Sequence, residues 1–147
     1  MTEMMMKNLF IDVLDRYDEA YSHYTDLNES TVRVTFSGEN MSEINCMVSF
    51  SSLDSGAMLV VINNFDLFNY EDKYAGGILA CNHACDNGMV TYYIDDEKDA
   101  VAEMTLMFNA FNIPSQFSPE QVLSSVIMLA MDVDDNYPVF ARAKWSD

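Results

Sequence analysis

A chain of 147 residues is the size of one domain, and with 50% of its residues apolar it can bury a core rather than stay disordered. Its 24 acidic residues against 7 lysines and arginines give a formal net charge of -17, which repels phosphate backbones and anionic lipid. Nucleic-acid and membrane-surface binding are disfavoured, and a protein partner carrying a basic segment is the electrostatic complement.

The first residues, Met1 to Lys7, do not read as a secretory signal, because Glu3 is the first charge and Asp12 and Asp15 interrupt the apolar run. No stretch approaches the roughly 20 apolar residues that cross a bilayer. Cys46, Cys81 and Cys85 are too few and odd in number for a disulfide framework, which fits a reducing cytoplasm.

Met6, Leu9, Phe10, Val13, Tyr17, Ala20, Tyr21 and Tyr24 recur at steps of three and four and predict an amphipathic helix from Met6 to Tyr24, with Thr2 as its cap. The period then changes to two. Val32, Val34 and Phe36 predict one strand and Ile44, Cys46, Val48 and Phe50 a second. The continuous apolar run Ala57 to Ile62 predicts a third, buried on both sides. Short links between the three imply an antiparallel meander.

A second helix is expected from Tyr70 to Asp86, with Tyr70, Tyr74, Ile78, Cys81 and Cys85 on one stripe and Gly76-Gly77 allowing close approach of a neighbouring backbone. Met89 to Ile94 and Ala100 to Phe108 predict a hairpin, followed by a loop from Asn109 to Phe117 that contains Pro114. Ser118-Pro119-Glu120-Gln121 opens a third helix: serine caps, proline takes the first helical position, and Pro138 ends or kinks it. The expected fold is one α+β domain over 1–147: helix, three-stranded antiparallel meander, helix, two-stranded hairpin, helix.

No set of residues assembles a catalytic centre, and no catalytic, cofactor-binding or metal-binding residue is assigned. Cys81 and Cys85 lie four apart on one helical face, half of a zinc site, yet no second Cys or His pair completes four ligands. A Cys-His nucleophile pair needs His23 or His83, and no basic surroundings lower a thiol pKa near any cysteine. Asp132, Asp134 and Asn136 resemble the start of a calcium loop, but Tyr137 stands where glycine is required and Ala143 where the bidentate glutamate belongs; Asp95, Glu97 and Asp99 fail likewise.

What remains is contact surface. The chain has 12 methionines, with Met4, Met5, Met6, Met104, Met107, Met128 and Met131 in predicted elements. The aromatic first helix and the second apolar face of the last strand make Met5, Phe10, Tyr17, Tyr21, Val101 and Met107 the candidate interface residues, and a second copy of the chain a candidate partner.

Leu79-Ala80-Cys81-Asn82, Met89-Val90-Thr91-Tyr92-Tyr93-Ile94-Asp95, Phe117-Ser118-Pro119-Glu120-Gln121-Val122 and Asp135-Asn136-Tyr137-Pro138, in that order, carry a pattern over about Val32 to Phe140. In that pattern the chain resembles the YbjN family, bacterial proteins with the type III secretion chaperone-like fold. The resemblance implies a helix-sheet-helix domain, often dimeric, with a non-enzymatic regulatory or chaperone-like role, and it carries over no catalytic residue. Function is therefore expected to be that of a protein-binding adaptor or regulator. The alternatives are a chaperone holding an effector segment and an acidic inhibitor that mimics nucleic acid.

Overall fold

Thr2 begins the first helix as its chemistry dictates. Its hydroxyl accepts the Met5 amide at 3.2 Å, and Glu3 lies in the first turn of α1, Glu3–Arg16, where the helix dipole is positive. A computed structural model describes residues 1–110 and 116–146. Most of the predicted 109–117 loop, with Pro114, therefore lies outside the described residues.

The expected helix through Tyr24 stops at Arg16. Tyr17 leaves helical backbone at φ -120°, ψ 45°, a single 3-10 turn follows at Asp18–Ala20, and His23–Asp26 is a strand, β1. The tyrosines that fit a helical stripe instead fold back on the helix end. Tyr21 donates its hydroxyl to the Leu14 carbonyl at 2.7 Å, and Tyr24 donates to Asp15 at 2.9 Å.

The chain continues through β2 (Thr31–Phe36), β3 (Ile44–Ser52), β4 (Met58–Asn64), α2 (Tyr74–Ala84), β5 (Thr91–Ile94), β6 (Ala100–Phe108) and α3 (Pro119–Trp145). The predicted arrangement, a three-stranded meander and a two-stranded hairpin of the secretion chaperone-like kind, is overturned. Six strands form one antiparallel sheet in the order β1-β2-β3-β4-β6-β5. β6 pairs along the whole of β4, from Met58 opposite Phe108 to Asn64 opposite Ala102, so the hairpin extends the meander, and β1 adds a strand at the far edge. A period-two pattern marks a strand but not which neighbour takes its free edge.

β4 also departs from expectation. Met58, Val60, Ile62 and Asn64 are buried, whereas Leu59, Val61 and Asn63 on the other face are only partly so. One face of the sheet, with Val34, Val48, Val60 and Ala102, joins Phe10, Cys81, Val126 and Phe140 of the three helices in a single core. The other face is more open: Arg33, Met47, Val61 and Glu103 on it are only partly buried, although Thr35 and Val101 are buried.

α3 does not end at Pro138 but runs on to Trp145. Proline has no amide to offer the Asp134 carbonyl four residues earlier. The Asn40 side-chain amide takes that place, donating to the Asp134 carbonyl at 2.9 Å. The buried Asp134 carboxylate in turn accepts the backbone N–H groups of Glu39, Asn40 and Met41, each at 2.9 Å. Gly38 fits beside it because a Cβ there would lie 2.3 Å from Asp134 Oδ1. The β2–β3 turn is thus latched to the middle of α3.

A candidate protein-docking groove between α2 and α3

α2 buries a face of small residues, Gly77, Ala80, Cys81 and Ala84, rather than the predicted stripe through Tyr74 and Ile78. The reason lies just before the helix. Tyr70 is buried, donates its hydroxyl to the Phe140 carbonyl at 2.6 Å, and sits under Gly77, where a Cβ would come within 2.6 Å of its ring. Gly76 faces the backbone of α3, its absent Cβ only 3.4 Å from the Ala143 carbonyl oxygen. The glycine pair therefore does bring a neighbouring backbone close, as the sequence suggests.

With the small residues turned inward, Leu79 is turned outward and is 69% exposed. It overhangs a shallow groove of about 330 Å³ lined by Gly76, Leu79, Ala80, His83, Val139, Arg142 and Ala143. Two lysines fasten the end of α3 alongside: Lys73 donates to the Ser146 carbonyl, and Lys144 to the Asn69 carbonyl at 2.5 Å. Phe68 packs between Tyr137 and Trp145, with ring centroids 5.4 and 5.7 Å away. The groove walls are apolar, their charged member is Arg142, and no carboxylate lines them in a chain with 24 acids. Such a surface accepts apolar side chains and an anionic group.

Two other concave regions are more polar. One, about 450 Å³, is formed by Arg16 to Ala20 at the end of α1. The other, about 440 Å³, includes Asn40, Glu43, Asn45, Asp66 and Tyr137. Asp66 there is engaged in holding its own loop, accepting the Asn45 amide at 2.6 Å and the Asn64 side-chain amide at 3.0 Å.

The groups suspected of chemistry occupy structural places. Cys46 and Cys81 are buried, and burial pushes both thiols up, Cys81 to about 12, which is opposite to what a nucleophile requires. Cys85 accepts the Tyr92 amide at 3.2 Å. Asp132, Asp134 and Asn136 belong to α3 and form no loop; Asp132 accepts the Tyr92 hydroxyl and the Asn136 side chain. Burial, with Asp132 adding to it, pushes the Tyr92 phenol well up, so it is a neutral donor in the core. Among the described residues, no three His, Cys, Asp or Glu side chains come together as a metal group.

The six interface candidates are scattered. Met5, Tyr17 and Met107 are exposed, Tyr21 is half-buried against α1, and Phe10 and Val101 are fully buried. Phe10 stacks in the core 5.6 Å from Phe50 and is corrected from contact residue to core residue. Val101, opposite Tyr93 in the β5–β6 ladder, has no free surface either. Sequence reading missed the groove, since Leu79, Val139 and Arg142 belong to two helices whose meeting no local pattern announces. Among the described residues, no helix is long and apolar enough to cross a membrane. No protein-family model matches the chain, and no curated protein matches it.

Proposed function

We propose that the protein is a non-enzymatic, protein-binding adaptor or regulator of the YbjN kind, working as a homodimer, and that its partner docks in the α2–α3 groove. The observation that carries this reading is an exposed Leu79 beside an apolar trough whose one charged wall is Arg142. Charge complementarity commits the partner to a short segment with apolar side chains and a carboxylate. The basic segment expected from net charge would find its acids elsewhere on the surface.

Two of the segments that resemble the family border this region, Leu79 to Asn82 on α2 and Asp135 to Pro138 on α3. A groove of about 330 Å³ admits a few side chains, which favours a short motif over the extended effector segment of a secretion chaperone. Docking here needs no reacting group, only exclusion of water around Leu79 and Val139 and one charge pair at Arg142.

Affinity capture from the native cell tests the reading. A protein recovered with the wild type should be lost with Leu79→Asp and with Arg142→Glu, both folded by circular dichroism. Each change should weaken that partner by about 10-fold or more. Recovery undiminished by both variants, or no protein recovered by the wild type, rejects it.

A further inference from the structure

We propose that a second copy of this chain docks on the bare face of the sheet, about a twofold axis parallel to the strands and midway between β3 and β4, so that Arg33 of each copy pairs with Glu103 of the other. This deepens the homodimer named in the proposed function and does not depend on the groove.

One row of paired positions crosses all six strands: Thr25, Arg33, Met47, Asn63, Glu103 and Thr91. Neighbouring strands lie about 4.8 Å apart, so Arg33 and Glu103, three strands apart, are separated by about 14 Å and cannot pair within one chain. Among the described residues Arg33 reaches the Thr25 hydroxyl at 3.4 Å, and its buried Nε has no hydrogen-bond partner. Glu103 accepts a 3.4 Å bond from the Asn63 amide. The ion pairs of the described residues, Lys7 with Asp26 and Arg16 with Glu120, involve neither.

The row is complementary to its own reversal. A half-turn about the proposed axis lays one bare face on the other and exchanges the two sides of the midline. Thr25 then meets Thr91, Arg33 meets Glu103, and Met47 meets Asn63. In the adjoining rows Val61 meets Ser49 and Leu59 meets Ser51, which covers two partly exposed apolar side chains of β4. Sheets stacked face to face stand about 10 Å apart, a gap that an arginine and a glutamate close from opposite sides. A solvated face is ordinary for an antiparallel sheet. It does not require a cation and an anion equidistant from the midline in the same row, with neither in an ion pair of the described residues.

An isologous charge pair has a strict genetic signature. Sedimentation of the full chain should show a dimer, and Arg33→Glu and Glu103→Arg should each weaken self-association by about 100-fold, because each places like charges together twice. Mixing these two variants should restore a dimer, since every contact is again opposite in sign, and the double variant should dimerise alone. Leu79→Asp should leave the dimer intact. A wild type that stays monomeric removes the homodimer altogether. A dimer unmoved by either reversal removes this face while keeping the homodimer, and a mixture that stays monomeric removes the Arg33–Glu103 pairing.

Discussion

Val60 and Ile62 on the helix-covered face of β4 are fully buried in the core, whereas Val61, between them in the chain, faces the other way and stays partly open. The covered face is mostly apolar and joins Phe10, Val126 and Phe140 of the helices in one core, with Asn64 a buried polar residue on it. The bare face mixes Met47, Val61 and Met107 with Arg33, Asn63 and Glu103, and closes over Thr35 and Val101 at one end. Two faces of one backbone thus answer different demands. The first holds the domain together by removing apolar area from water, and the second leaves charged and apolar side chains partly open to solvent.

The strongest challenge to that division is at Asp134, the polar fixture on the covered side. Removing its carboxylate with Asp134→Ala takes the acceptor from three backbone N–H groups of the β2–β3 turn, of which the Met41 one is buried, at a cost on the order of 3 kcal/mol. Urea unfolding should show a correspondingly lower midpoint. A loss under about 1 kcal/mol would mean that water replaces the carboxylate and that the turn is not held by α3.

A sharper test uses neighbours on the same strand. Val60→Ala removes two buried methyl groups and should cost about 2 kcal/mol, whereas Val61→Ala should cost less than about 1 kcal/mol in dilute protein. Equal losses at low concentration would show that the bare face is covered within the monomer. A penalty for Val61→Ala that grows with protein concentration would tie the bare face to association.

Much of this was legible in the sequence, and its failures share a physical cause. Thr2 and Ser118 cap their helices because a hydroxyl accepts an amide three residues ahead, an interaction contained within four residues. β6 was readable at its full length because Ala102, Met104, Leu106 and Phe108 recur at every second position of Ala100 to Phe108. Tyr17, Tyr21 and Tyr24 misled because their spacing suits a helix, while the bonds of Tyr21 to Leu14 and of Tyr24 to Asp15 exist only after the chain has turned back. Pro138 does not end α3, for a similar reason. Its missing hydrogen bond is made good by Asn40, 94 residues away from Asp134 in sequence. The Leu79–Arg142 groove and the Arg33–Glu103 row are likewise products of pairing between distant segments. Caps and periods are local, whereas edges, latches and composite surfaces are not.

The smallest effect is expected at alkaline pH, and it separates the two faces spectroscopically. On the covered side, burial pushes the Tyr70 and Tyr92 phenols and the Cys46 thiol well up and the Cys81 thiol to about 12; Tyr24, bonded to Asp15, is also pushed up to about 12. In the unfolded chain these groups release protons near their ordinary values, 9.0 for cysteine and 10.0 for tyrosine. Between those values and 12 the unfolded state therefore holds fewer protons than the folded one, so stability is intact below about pH 9 and falls as pH rises toward 12. Thermal unfolding followed against pH should be flat through neutrality and decline above pH 10, with the tyrosinate absorbance of the covered residues appearing together with loss of structure. Tyr92 ionising fully in a chain that stays folded would place it in contact with water. It would then undo the assignment of the Tyr92–Asp132 pair to the sealed side of the sheet.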